Sequence, residues 1–111
     1  MLPITQLEYL DEKRRSPFGL WRAELDDVAR ERVTRALVRL SIGNTSNVKG
    51  VGEGVSELRI DFGPGYRVYF GWDGRTVVIL LGGGTKKRQQ ADIEAAQVRW
   101  MDYKRRKQQG E

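Results

Sequence analysis

Residues 55–72, VSELRIDFGPGYRVYFGW, alternate apolar and polar on both sides of a Gly-Pro-Gly turn, and that pattern decides the fold. In Val55 to Phe62, Ser56, Leu58, Ile60 and Phe62 fall on one face, with Glu57, Arg59 and Asp61 on the other. Tyr66 to Trp72 repeats the pattern, setting Tyr66, Val68, Phe70 and Trp72 against Arg67 and Tyr69. Gly63-Pro64-Gly65 between them predicts a hairpin. Both apolar sets must face one core, so paired positions keep the same parity. A three-residue turn at 63–65 would pair Phe62 with Tyr66, Asp61 with Arg67, Ile60 with Val68 and Arg59 with Tyr69. The polar face then gathers Glu57, Arg59, Asp61, Arg67 and Tyr69. Asp61 opposite Arg67 is readily explained as a cross-strand ion pair. Arg59 beside Tyr69 on an open sheet face is a place for a nucleotide to stack.

Towards the C-terminus, Asp73-Gly74 predicts a second, two-residue hairpin into an apolar strand from Thr76 to Leu81. Gly82-Gly83-Gly84 is expected to end the sheet, and Lys86-Lys87-Arg88 to lead into a helix from about Gln89 to Gln108. That helix has Ile93, Ala96, Trp100 and Tyr103 on its apolar side. Towards the N-terminus, the glycine-rich stretch 43–54, which contains Lys49, reads as a loop. Trp21, Leu25, Val28, Val33, Leu37 and Leu40 predict one long amphipathic helix from about Leu20 to Ser41. Ser16-Pro17 supplies a helix start, Glu8 to Arg15 a short helix or turn, and Pro3 to Leu7 an edge strand. The expectation is an α+β fold over a single domain, residues 1–111. Its order is β-α(α)-β-β-β-α, with a small twisted antiparallel sheet packed against helices on one face.

Composition narrows the function. The 111 residues include no cysteine and no histidine, which removes thiolate chemistry, the usual general base and the usual zinc ligand together. No apolar run approaches membrane-spanning length, and Met1 to Leu10 lacks a secretory pattern, so a cytoplasmic protein is expected. Of the net charge of +5, residues 84–111 carry +4, which points to a polyanionic partner or to a solvated basic helix end at 100–111.

Strand order brings Lys86, Lys87 and Arg88 back towards the turn and Arg67. Arg and Lys with a Tyr and no His suit stabilisation of a phosphorane-like transition state, because guanidinium groups grip non-bridging oxygens bidentately. The same cations suit acidic side chains of a partner protein.

The stretches GVSELRIDFGPGYRVYF (54–70) and WDGRTVVILLGGGTKKRQQADIEAA (72–96), with VKGVGEGV upstream, resemble the RelE/ParE superfamily of bacterial type II toxins. The likeness is strongest to the HigB-like branch of addiction-module killer proteins, and covers roughly Arg39 to Ala96. The resemblance implies an mRNA endonuclease of the ribosomal A site, using 2′-hydroxyl attack on the adjacent phosphate with no metal or cofactor. It implies as partners the ribosome, mRNA and a small helix-turn-helix antitoxin, with operator DNA reached only through that antitoxin. By the same resemblance Arg67 holds the scissile phosphate and Lys86 and Lys87 are catalytic. Lys49 and Arg59 position the substrate backbone, and Asp92 or a lysine moves the proton; Tyr69 joins the substrate-binding residues from the register, as the stacking surface beside Arg59. The chain departs from the family's pattern in offering Gln89, Gln90 and Asp92 where relatives use Tyr or His. A ParE-type gyrase poison and a silent, antitoxin-binding homologue remain open alternatives.

Overall fold

A computed structural model of the chain describes residues 3–110. The elements are β1 (Thr5–Glu8), α1 (Pro17–Ala23), α2 (Asp27–Ser41), β2 (Val48–Gly52), β3 (Val55–Ile60), β4 (Tyr66–Asp73), β5 (Val77–Thr85), a 3-10 turn (Lys86–Arg88) and α3 (Gln89–Gln108). The α+β class holds, and the expected order gains one strand, β2, between the helices and the hairpin. The sheet has five strands in the order β1-β5-β4-β3-β2. It is mixed rather than antiparallel throughout, because β1 pairs parallel with β5.

Two of the differences from expectation lie in the helical region and the loop after it. The long helix breaks at Glu24–Asp26, where Asp26 caps α2 by accepting the Ala29 N–H at 2.8 Å. The break resets the helical phase and leaves Val28, expected in the core, 55% exposed. Ser16 caps α1 as expected, accepting from Gly19 with Pro17 in the first turn. The glycine-rich stretch 43–54 is not wholly a loop, since β2 forms there against β3.

The hairpin keeps its parity but slips by two residues. Ile60 pairs with Tyr66, Arg59 with Arg67, Leu58 with Val68 and Glu57 with Tyr69. Residues 61–65 therefore all belong to the turn, where Gly63 and Gly65 take positive φ. The second hairpin is also longer than expected, with Asp73 paired to Val77.

The larger correction concerns the layers, because helices cover both faces. Leu58, Ile60, Val68, Phe70, Val78 and Leu80 pack with Val33, Leu37 and Leu40 of α2 and Phe18 of α1. The opposite face buries Val55, Tyr69, Ile79 and Leu81 under Ala96 and Trp100 of α3, joined by Tyr9. The triple glycine 82–84 does not end the sheet; it lies inside β5. A side chain at Gly83 would run into the Trp21 ring, and one at Gly84 into the Asp92 carboxylate, so glycine lets each neighbour seat on bare backbone. Gly71 does the same for Trp100 on the α3 side.

Beyond Trp100 the basic helix end is tied back rather than free. Trp100 stacks on Tyr103, with centroids 5.3 Å apart. Tyr103 Oη donates to Asp73 at 2.6 Å, and Lys107 Nζ joins the same carboxylate. Asp102 accepts from Tyr9 Oη at 2.7 Å and from Arg106, whose Nη2 also donates to the Leu10 carbonyl. Among the described residues no helix is long and apolar enough to cross a membrane.

Two stability measurements follow. Gly71→Ala must displace the buried Trp100 ring and is expected to cost about 1–3 kcal/mol, as overpacking does. Gly50→Ala, which meets open space, should change the urea midpoint little; equal midpoints for the two variants would refute the seating of Trp100. The bonds from Tyr9, Arg106 and Arg105 hold the Asp102 carboxyl down at about 2. A carboxyl with a depressed folded pKa stabilises above its unfolded value, ordinarily 3.8, and that stability is lost as pH falls towards 2. Asp102→Asn should lower the thermal midpoint near neutral pH and flatten its fall between about pH 4 and pH 2, a comparison read by acid titration of both proteins.

Candidate active site

The α3-facing side of the sheet carries the polar residues of the hairpin. Parity set by alternation puts Glu57 and Arg59 of β3 beside Arg67 and Tyr69 of β4. Lys49 of β2 pairs with Glu57, and Gly84 of β5 with Arg67. The first turn of α3 covers Gly84 with Asp92, while Gln89 Nε2 donates to Glu57 Oε2 at 2.8 Å. The 3-10 turn is pinned to the hairpin, because Lys86 N–H donates to the Gly65 carbonyl at 2.9 Å. The return of Lys86–Arg88 to the Gly63–Gly65 turn, read from strand order, is therefore what the backbone does.

At the centre is a buried ion pair. Arg67 Nε lies 3.5 Å from Glu57 Oε1, with the two side chains 8% and 1% exposed. Arg67 Nη1 donates to the Gly65 carbonyl at 2.8 Å. The pairing expected between Arg67 and Asp61 does not form. Asp61 lies instead 3.7 Å from Arg59, on the surface. Burying two charges is costly unless each is well hydrogen-bonded. Here Glu57 Oε1, Arg67 Nε and Tyr69 Oη are all buried without a well-formed hydrogen bond. Three polar atoms in one place with unused capacity are out of the ordinary for a protein interior.

Tyr69 is not on an open face. It is 1% exposed beneath α3, so base stacking by its ring does not fit this arrangement. Burial and the neighbouring Glu57 carboxylate push its hydroxyl far up, with a smaller push from Asp92 and an opposing pull from Arg67. Asp92 is half-buried, and burial raises its carboxyl above the ordinary value, partly offset by Arg88 and Arg99. Lys49, Arg59, Lys86 and Lys87 are exposed around this cluster. The residues picked from the sequence thus divide into a buried set (Arg67 and Tyr69), a half-buried carboxyl (Asp92) and an exposed cationic rim.

Glu57 is the residue that the sequence reading placed on the face but left out of the site. Its signal was available, since it stands two residues before Arg59 in the same alternation. What concealed it was the expected register, which sets it opposite Gly71, a residue with no side chain; the two-residue slip sets it directly across from Tyr69 and next to Arg67.

A protein-family model described as phage-derived protein Gp49-like matches residues 21–100. An uncharacterized protein of Haemophilus influenzae is 40% identical over 82 residues, which cover 73% of this chain and 83% of the relative. The matched span runs from the Trp21 that sits on Gly83 to the Trp100 that sits on Gly71, and so contains the whole polar cluster. The chain belongs to the phage-derived Gp49-like family, a family of addiction-module toxins of the RelE and HigB type.

Proposed function

We propose that the chain is the toxin of a type II toxin–antitoxin module and cuts mRNA on the ribosome without a metal. The observation that carries this reading is the Glu57–Arg67 pair, polar atoms unsatisfied, under a rim of Lys49, Arg59, Lys86 and Lys87 with Asp92 beside it. Exposed cations hold the flanking phosphates in place. The scissile phosphate takes Arg67 from Glu57 as the turn at Lys86–Arg88 and Gln89 yields. Glu57 Oε1, released from the guanidinium, then accepts the proton of the attacking 2′-hydroxyl. Arg67 and Lys86 offset the charge that builds on the non-bridging oxygens. Asp92, whose raised pKa keeps it protonated at higher pH than an ordinary carboxyl, gives its proton to the departing 5′-oxygen. The products are a 2′,3′-cyclic phosphate and a free 5′-hydroxyl. The partners of this reading are the ribosome, mRNA and a cognate antitoxin, and its place is the cytoplasm.

The burial of Arg67 also favours a second reading, in which the Glu57–Arg67 pair is purely structural and the toxin is silent. Mapping new mRNA 5′ ends in a translating extract separates the two. Arg67→Lys keeps the charge but loses the fork, and is expected to reduce cutting by roughly 10²–10³-fold. Lys86→Ala with Lys87→Ala, both exposed, should reduce cutting without lowering the thermal midpoint. No new ends from the parent chain, or full cutting by Arg67→Lys, would sink the nuclease reading. DNA breaks with intact mRNA would point to gyrase instead.

The proton donor has its own test. An acid works only while protonated, so the cutting rate should fall as pH rises through the elevated pKa of Asp92. Asp92→Asn should slow cutting and erase that limb of the pH profile; an unchanged limb would remove Asp92 from the mechanism.

A further inference from the structure

On the other face of the sheet, away from the Glu57–Arg67 cluster, α2 and the end of β3 enclose a groove of about 310 Å³. Arg32, Arg35 and Arg39 line it from α2, and Arg59 from β3. At 3.6 residues per turn the three helix arginines fall within about 60° of one another, spread over about 10 Å of axis. Among the described residues Asp61 is the one carboxylate that lines the groove, so the wall is strongly cationic. The acids that hold these arginines do so loosely. Arg35 meets Glu31 and Arg59 meets Asp61 in surface pairs with side chains about half exposed or more, and such pairs exchange readily for another anion.

We infer that this groove binds the phosphodiester backbone of single-stranded RNA, as a second site separate from the candidate active site. A row of guanidinium forks matches a row of phosphates, and Arg59 stands on the strand between the groove and the Glu57–Arg67 cluster. One strand can therefore lie along α2 and continue over the sheet edge, just before β2 begins, where the Arg59 N–H is bonded to Asn47. The groove reads backbone rather than bases. Its aromatic residue, Phe62, is covered by the Arg32 guanidinium 4.4 Å from the ring centre, so it offers no stacking platform. An acidic protein segment would present carboxylates to the same arginines, and the test below distinguishes it. Binding here requires no cleavage, so this inference and the nuclease reading fail separately.

The experiment follows the binding of a fluorescein-labelled 12-nucleotide oligouridylate to the full chain by anisotropy across a salt series, without ribosomes. The combined Arg32→Gln, Arg35→Gln and Arg39→Gln variant should bind at least about tenfold more weakly at low salt. Its log–log salt slope should be shallower by about 2, since each lost phosphate contact on a single strand removes about 0.7. Oligoadenylate should behave like oligouridylate. Should the triple variant lose the circular dichroism of the parent, Arg39→Gln alone should lower the slope by about 0.7. An unchanged slope in a folded variant overturns the inference. So does poly-L-glutamate of similar length binding the parent as tightly as RNA and losing as much on substitution, which would make the groove a surface for an acidic protein.

Discussion

The seating of Trp100 on the bare backbone of Gly71 decides what the second face of the sheet becomes. An indole that large approaches a strand so closely only where no side chain intervenes. Once it is seated, α3 lies across β3–β5 and the face closes over Tyr69, Ile79 and Leu81. Closure then forces the polar residues of that face to find partners within it. Glu57 and Arg67 answer each other, Gln89 answers Glu57, and the Gly65 carbonyl serves both Arg67 and the Lys86 N–H. The hairpin turn and the entry to α3 are thus fastened at a single carbonyl.

The two ends of α3 are held by different means. The C-terminal half rests on stacked rings and on the carboxylates of Asp73 and Asp102. The N-terminal end is held by Gln89, by one backbone bond from Lys86 and by the contact of Asp92 with Gly84. Few buried apolar groups secure that end, whereas Ala96 and Trp100 anchor the middle. Local opening favours regions with few buried apolar contacts. The part of α3 near Arg67 is therefore held mainly by polar contacts, with Ile93 as its partly buried apolar one.

Much of this was legible in the sequence. Period-two alternation assigned the paired strand residues 55–60 and 66–71 to their correct faces, because that assignment depends only on parity. Asp61, expected on the polar face, falls instead in the turn and lines the groove on the α2 side. The Ser16-Pro17 start and the Gln89–Gln108 helix were readable from local chemistry. What was not legible depended on contacts distant in sequence. A polar face looks the same whether water or a helix covers it, so the burial of Tyr69 had no signature in 55–72. The glycines of 82–84 read as a stop because glycine is a poor strand former, while the reason for them, Trp21 over Gly83 and Asp92 over Gly84, appears only once the helices have packed on the sheet. The break at Asp26 was readable from its capping chemistry, but the apolar spacing on either side masked it. Among the site residues, Arg67 and the basic rim could be picked out by type, whereas Glu57 required the true register.

The pairing of β1 with β5 has a kinetic meaning. Thr5 aligns with Val77 and Glu8 with Leu80, so β1 pairs with the strand of the sheet that lies farthest from it along the chain. Such contacts repay the entropy of closing a large loop only after most of the molecule is in place, and they slow folding. During synthesis the first strand emerges long before its partner, and the sheet gains β5, which lies between β1 and β4, only after every other strand has been made. The helix that seals Arg67 comes later still. A growing chain therefore exposes β1 and its apolar neighbours until β5 has been made, and acquires the closed cluster only once α3 has followed it.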